Sequence, residues 1–338
     1  MKQKIVLLVV LALAKICGYA QQKPQYTQYI FNNYLLNPAL SGMENYTDIK
    51  LGFRQQWQGI TDAPRTSFVS ANWALGDEYL WKNPLSMPES GDPPMSRNYM
   101  QNYMASPAHH GVGLIAVADK AGPISTINFN LTYAYHLELN DALNLSLGVG
   151  AGFNRVALDY NALVFESAGT DPALNNAIVS QFKPDLNTGI WLYGARFFAG
   201  VSAQQVLPQK LSFTSDPAYT QGAEVPHYFA TAGYKLFFNE DISAVPSVML
   251  RHVKATPLSV DANLKISFKD RFWIGGSYRK NDSFSGMAGI NINNFMNLTY
   301  AYDMTTSELR TYTSGSHEIV LGFQLNNVYR VLSTTRMW

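Results

Sequence analysis

The chain has 338 residues, of which 47% are hydrophobic, 13% aromatic and only 14% charged, and its formal net charge is +1. Its mean hydropathy of −0.10 lies between the values typical of soluble and of helical membrane proteins. The near-neutral charge lacks the strongly basic footprint of a nucleic-acid-binding protein, so no nucleic-acid partner is expected. Beyond the N-terminus, no run of about 18 apolar residues predicts a transmembrane helix.

The first twenty residues have the features of a secretory signal peptide. Lys2 and Lys4 precede the apolar run 5–14, and a Gly-Tyr-Ala cleavage site ends at Ala20. The apolar run is too short for a membrane anchor, which takes roughly 20 residues. We expect residues 1–20 to be removed on export, and the single cysteine, Cys17, leaves with them.

Apolar and polar residues alternate along the rest of the chain. Between 127 and 136, for example, Ile127, Phe129 and Leu131 alternate with Asn128 and Asn130. Period-two alternation gives a strand one apolar and one polar face. A soluble β-sandwich also alternates, but these runs approach the 9 to 11 residues of a tilted membrane strand. Tyr, Phe and Trp gather near the strand ends, for example at Trp191, Tyr193 and Trp273, which suggests interfacial girdles.

The sequence therefore predicts an all-β fold, a transmembrane antiparallel β-barrel of about 14 strands in the outer membrane, with both termini periplasmic. Short and long connections largely alternate, as expected for periplasmic turns and outer loops. The predicted strands are 48–57, 66–75, 110–120, 125–139, 142–159, 184–194, 196–207, 226–238, 243–254, 258–269, 271–280, 282–294, 295–305 and 316–326.

Three segments stand outside the regular strands of the predicted barrel, 48–326. Residues 21–47 precede the first strand and form either a periplasmic segment or a plug-like one. The polar insertion 76–109 is too long for an ordinary turn, which makes it a candidate docking element. Residues 327–338 form either a C-terminal tail or the final strand.

Several motifs resemble the PorP/SprF family of outer-membrane proteins, which is associated in Bacteroidetes with type IX secretion and gliding motility. The matching segments are PQYTQY at 24–29, LNPALSG at 36–42, FRQQW at 53–57, GVGLIAVADKAGP at 111–123 and HEIVLGFQL at 317–325. The resemblance implies a membrane component that works with secretion or gliding components and with a secreted surface adhesin.

Within these motifs, aromatic and amide side chains offer large contact area for a partner at low entropic cost. The same residues are also expected in a structural plug that seals the barrel, and the sequence leaves both interpretations open. The candidate partner-binding or structural residues are Tyr26, Gln28, Tyr29, Asn37, Pro38, Arg54, Gln56 and Trp57.

The sequence offers little that indicates catalysis. None of the six histidines has the spacing of a helical metal site, and the glycines of GVGAGF at 148–153 lie within a strand, where they relieve crowding. Lumen-facing charges such as Arg54, Asp261 and Arg279 are expected to fill space as pairs rather than to line a substrate path. We expect no enzyme activity, no catalytic or metal-binding residue and no cofactor.

Two functions remain in competition. The first is an interaction protein that anchors or helps export a surface adhesin, contacts periplasmic machinery, and is surrounded by outer-membrane lipid. The alternative is a passive or hydrophobic-solute channel, since a barrel of this size encloses either an open lumen or a plugged one. An outer-membrane hydrolase would need a clustered nucleophile and base that the sequence does not display.

Overall fold

A computed structural model describes residues 26–44, 46–76, 105–159, 162–163, 180–211, 222–239, 241–254, 256–269 and 271–327. These residues form a closed antiparallel barrel of fourteen strands. The strands are β1 Thr47–Gln55, β2 Arg65–Leu75, β3 His109–Ala121, β4 Ile124–Asn140, β5 Leu143–Leu158, β6 Ser180–Gly194, β7 Phe197–Gln204, β10 His227–Tyr234, β12 Ile242–Val253, β13 Ser259–Phe268, β14 Phe272–Arg279, β15 Ser283–Asn291, β16 Met296–Thr305 and β17 Ser316–Leu325.

Three short strands lie outside this set: β8 Gln209–Leu211 pairs with β9 Gly222–Glu224, and β11 Leu236–Phe237 pairs with the start of β12. The barrel closes where β1 pairs with β17, with Thr47 opposite Leu325 and Gln55 opposite His317. The predicted fold class and the number of strands are thus confirmed.

The two rims of the barrel differ in their connections. We call the rim at Thr47 and Leu325 the near rim and the opposite rim, at Gln55 and His317, the far rim. Two-residue turns follow β4 and β6 at the near rim, as predicted. Longer loops at the far rim join β1 to β2 and β16 to β17. Not every connection follows this pattern: β3 and β4 are joined by two residues at the far rim, and the long insertion joins the near-rim ends of β2 and β3. The assignment of the near rim to the periplasm stays a prediction.

The alternation along the strands places side chains as predicted. Leu131 and Ile127 of β4 face outward, with 57% and 42% of their surface exposed, whereas Asn130 and His136 of the same strand are buried inside. In β13, buried and exposed side chains likewise alternate from Asp261 onward. The barrel therefore has an apolar outer face and a polar wall around its interior.

Residues 26–43, which we call the inner segment, occupy that interior. Apart from Tyr26, which is half-buried, all of them are buried against the wall. They form three short 3-10 turns, Gln28–Ile30, Asn33–Leu35 and Pro38–Leu40. The last turn begins at Asn37, whose side-chain oxygen accepts a hydrogen bond from Ala39 N. Among the described residues, no helix has the length and apolarity needed to cross a membrane.

The predicted aromatic girdle is wrong at three positions. Trp191, Tyr193 and Trp273 are at most 6% exposed and point into the barrel. Trp191 stacks on Phe198 at 5.3 Å, and Trp273 stacks on Phe31 of the inner segment at 6.3 Å. These rings lie on the inward-facing register of their strands, so position in the alternation decided their direction rather than nearness to a strand end.

Several predicted segments fall outside the described residues. These are the signal peptide 1–20, most of the insertion 76–109, and the tail from residue 328 onward. The end of the insertion is described, and it packs at the near rim. There Ser106 N donates to Asn144 Oδ1 at 3.1 Å, and Asn144 Nδ2 donates to Ser106 O at 2.8 Å.

Candidate functional site

The candidate site is the barrel interior, where polar side chains of the wall bind the backbone of the inner segment. Ser146 Oγ donates to Ala39 O at 2.6 Å, Ser202 Oγ to Leu36 O at 2.7 Å, and Gln204 Nε2 to Leu35 O at 2.8 Å. Short 3-10 turns leave carbonyl groups without partners inside the turn, and buried carbonyls need such partners. The wall supplies them, which fixes the path of the segment.

Two glycines allow the inner segment to approach the wall closely. A Cβ atom on Gly111 would lie 1.9 Å from Ser41 O, and one on Gly148 would lie 2.2 Å from Ala39 N. Real Cβ atoms do not approach other atoms so closely, so any side chain at these positions would move the segment. The glycines of β5 were predicted to relieve crowding in the strand, and the crowding partner of Gly148 is the inner segment itself.

A buried charge cluster holds the start of the inner segment. Arg54 Nη2 lies 2.6 Å from Asp303 Oδ2, and Arg54 Nη1 lies 2.9 Å from Glu318 Oε2. Thr27 joins both carboxylates, because its hydroxyl donates to Asp303 Oδ2 at 2.6 Å and its N–H to Glu318 Oε2 at 2.8 Å. Gln28 Nε2 donates to Glu318 O at 2.8 Å. Since charge-assisted hydrogen bonds are the strong ones, this cluster is the main polar anchor of the segment.

At the near rim, two stacked histidines hold the other end of the inner segment. The rings of His109 and His136 are parallel, with centroids 4.3 Å apart. His136 Nε2 lies 2.8 Å from Ser41 O, and His109 Nε2 lies 3.1 Å from Gly42 O. His136 Nδ1 meets Tyr193 Oη at 2.9 Å. These contacts are directed at backbone atoms, so they secure the position of the segment rather than a particular side chain.

Tyrosines of the inner segment add neutral hydrogen bonds. Tyr29 Oη accepts from Asn263 Nδ2, and Tyr34 Oη pairs with Thr132 Oγ1 at 2.5 Å. Burial raises the pKa of Tyr29 and of Tyr34 well above the usual value near 10. Both phenols are therefore uncharged hydrogen-bonding groups under all ordinary conditions.

The structure divides the predicted site residues into three groups. Gln28 and Arg54 meet at the charge cluster, with Tyr26 nearby against Phe68, ring centroids 5.5 Å apart. Tyr29 is buried against β13. Asn37 and Pro38 are also buried and lie further along the inner segment, toward the near rim, where Asn37 Nδ2 donates to Ile190 O at 3.1 Å.

The remaining two candidates, Gln56 and Trp57, belong to the far rim. Gln56 N donates to Pro64 O at 2.9 Å, and Trp57 N to Ser316 Oγ at 3.1 Å. Trp57 has a positive φ of 47°, which reverses the chain directly after β1. The eight candidates therefore do not form one surface, and whether any of them binds a partner stays a prediction.

Sequence reasoning missed the partners of Arg54. Asp303 and Glu318 lie on the inward-facing register of β16 and β17 and are 2% and 1% exposed. Ionisable residues at inward positions of membrane strands were the available signal. The alternation alone did not indicate that the same carboxylates also bind Thr27 of the inner segment. The expectation that lumen charges occur as pairs is met at Arg279 and Asp261, 3.0 Å apart.

A cavity of about 200 Å³ remains between the inner segment and the wall. Tyr26, Leu35 and Leu36 line it from the inner segment. Residues of β3 to β7 and of β10 line it from the wall, and Glu224 lines it from the short strand β9. Its lining reaches Ala121 and Ile124, which end β3 and begin β4 at the far rim.

Comparison with known proteins identifies the family. Residues 18–323 match the family described as type IX secretion system membrane protein PorP/SprF. The chain belongs to the PorP/SprF family. The resemblance noted in the sequence is thereby confirmed, and the protein is a membrane barrel of type IX secretion, associated with secretion components. A closed barrel with an apolar outer face places this family member in the outer membrane.

Solved barrels resemble this PorP/SprF member only distantly. The toluene transporter TodX of Pseudomonas putida is 9% identical over 87% of this chain and 93% of its own, with a TM-score of 0.47. An outer membrane protein of Acinetobacter baumannii is 7% identical over 84% and 100%, with a TM-score of 0.46. No curated protein matches the chain.

Proposed function

We propose that this PorP/SprF protein is an outer-membrane anchor that binds a secreted surface adhesin, or helps export it, and contacts the periplasmic secretion machinery. The proposal assigns the protein a binding role, with no bond made or broken. Outer-membrane lipid covers the apolar face of the barrel. The observation that carries the proposal is that the inner segment occupies the barrel interior and is buried against the wall.

The way the inner segment is held in the interior favours binding over transport. The inner segment is held by an ion-pair cluster at one end and by paired histidines at the other, with wall hydrogen bonds between them. Moving it aside would remove the hydrogen bonds that Thr27 donates to Asp303 and Glu318. It would also expose the buried apolar side chains of the inner segment to water. A permanently seated segment suits a barrel that works through its rims.

The far rim offers an exposed surface for a partner. The loops 56–64 and 306–315 are joined, because Gln58 N donates to Gly315 O at 2.8 Å and Ser314 N to Gln58 O at 2.7 Å. On this joined pair, Tyr312 is 74% exposed and Leu309 is 37% exposed. Exposed aromatic and aliphatic side chains on ordered loops are typical of partner contacts.

The alternative is a passive or hydrophobic-solute channel, and the cavity beside the inner segment is the observation that favours it. Purified protein in planar bilayers separates the two functions. An anchor with a seated inner segment is expected to give no steady conductance. Steady, solute-selective conductance without a partner would contradict the anchor and support the channel.

The direct test is affinity purification of the tagged protein from its native membrane, with the co-purifying proteins identified by mass spectrometry. We expect a surface adhesin and type IX components. The double variant L309A/Y312A should lose the adhesin, whereas D141A, at an exposed turn of the near rim, should retain it. Recovery of lipid and general porins alone would refute the proposal.

A further inference from the structure

The cavity at the far rim has the size of a small-molecule site. Its volume is about 200 Å³. An apolar cavity of about 150 Å³ suffices to hold a benzene molecule, so a small organic group fits. The site is separate from the exposed loops assigned to the partner above, and the inference does not depend on that assignment.

One half of the cavity is apolar. The inner segment contributes Leu35 and Leu36, and the wall contributes aliphatic side chains and one phenylalanine from the inside of the barrel. These wall residues are Ile115, Val117, Val156 and Phe229. A ligand here must present an apolar body, because a fully polar one would leave groups unpaired against these side chains.

The other half is polar, and its asparagines donate their N–H groups to nearby carboxylates. Asp185 Oδ2 accepts from Asn128 Nδ2 at 2.7 Å, from Asn130 Nδ2 at 2.9 Å and from Asn187 Nδ2 at 3.3 Å. In the same way, Asn154 Nδ2 donates to Glu224. These carboxylates fix the orientation of the amides, because a flipped amide would bring two acceptors together.

The polar half is therefore rich in acceptors. Within the described residues, Asn130 Oδ1 and Asn154 Oδ1 receive no hydrogen bond, although the two residues are only 2% and 3% exposed. The carboxylate of Asp119 also lines the cavity and accepts from Thr66 Oγ1 at 2.6 Å. The described lining includes two carboxylates, of Asp119 and Glu224, and no lysine, arginine or histidine.

We propose that this cavity binds an organic cation with a short apolar body, of the alkylammonium class. The ammonium group donates hydrogen bonds to the acceptor half near Asp119, and the alkyl chain packs against Leu35, Leu36 and Phe229. Two sources carry this chemistry: a free amine, and the side chain of a lysine presented by a protein segment. The lining of the cavity reaches the far rim at Ala121 and Ile124.

The test is calorimetric titration of the full-length protein in detergent micelles with n-butylammonium and with n-butanol, its neutral counterpart. We expect saturable binding of the cation and binding at least tenfold weaker for the alcohol. D119N should weaken cation binding about tenfold, the size expected for one hydrogen bond to a charged group. D141N, which removes an exposed carboxylate at the near rim, should leave it unchanged. V117F, which fills the apolar half, should abolish it.

Equal binding of butylammonium and butanol would overturn the proposal, as would equal loss in D119N and D141N. The comparison of the two ligands uses the unaltered chain, so it decides the matter even where a variant fails to fold. A second titration uses a blocked Ala-Lys-Ala peptide and its norleucine counterpart. Binding of butylammonium alone assigns the site to free amines, and binding of the lysine peptide as well assigns it to a presented side chain.

Discussion

The two ends of the inner segment are held by different kinds of interaction. At Thr27 the segment joins a buried cluster of one arginine and two carboxylates, whereas at Ser41 it lies against glycine and meets histidine through a backbone carbonyl. The first end is specified by charge and the second by the absence of side chains. The charged end should therefore respond to loss of a partner, and the glycine end to any added atom.

The largest effect is expected from removing the cation of the charge cluster. R54M leaves Asp303 and Glu318 buried without their partner, and breaking a buried pair costs about 3–5 kcal/mol. The measurement is the unfolding free energy in urea with detergent. The matched control is K269M, whose pair with Asp241 is 3.9 Å long and more than half exposed, and worth about 0–1 kcal/mol.

The triple variant R54M/D303N/E318Q sharpens this test. It removes the cation together with both charges, so it should recover part of the stability lost in R54M. A loss in R54M no greater than that in K269M would show that the cluster does not anchor the segment.

A smaller but still large effect is expected at the glycine end. G148V places atoms within the backbone of Ala39, and overpacking costs about 1–3 kcal/mol or more. Since the segment must shift, its amide hydrogens should also exchange faster. G286V is the control, because no atom lies within 4 Å of a Cβ at that position. Equal exchange in the two variants would contradict the close approach.

Between the two ends, a single neutral hydrogen bond should contribute less. Y34F removes the hydroxyl that pairs with Thr132 and is expected to cost about 1 kcal/mol. Y312F removes a hydroxyl from a side chain that is 74% exposed and should cost nothing measurable. Equal urea midpoints for the two variants would show that the Tyr34 hydroxyl does not contribute measurably to stability.

The smallest effect concerns alkaline pH. Tyr29 and Tyr34 have raised pKa values in the folded state, so the unfolded chain loses these protons first. Their contribution to stability should therefore be constant below about pH 10, the ordinary pKa of tyrosine, and be lost as the pH rises above it. Exposed tyrosines such as Tyr312 ionise in the folded barrel, but the part of the phenolate absorbance at 295 nm that is missing in Y29F and Y34F should appear only together with unfolding. Ionisation of these two phenols in a barrel that stays folded, resolved with Y29F and Y34F, would contradict their burial.

The sequence predicted the wall far better than its contents. Strand positions and facing followed from period-two alternation, which is a local signal and survives in β4, β5 and β13 alike. The inner segment has no such period, because it folds into short 3-10 turns whose contacts spread over several strands, among them β5, β7, β13 and β17. Its two possible fates could not be separated from the residues alone. Trp191 was misplaced for a related reason, since its position in the alternation outweighed its aromatic character.

The candidate site was only partly visible in the sequence. Arg54 was recognised, but its partners Asp303 and Glu318 lie about 250 residues further on, and no local pattern connects them. The cavity was not visible at all. It arises from the gap between Leu35, Leu36 and the wall, and gaps follow from packing rather than from composition.

The charge cluster also bears on the order in which the molecule is built. Arg54 belongs to the first strand, Asp303 and Glu318 to the last two, and Thr27 to the stretch that leaves the ribosome before any of them. Thr27 therefore gains its full set of hydrogen-bond partners only after β16 and β17 have paired and β17 has closed the barrel against β1. The hydrogen bonds of Thr27 can therefore form only in a barrel whose strands have all paired.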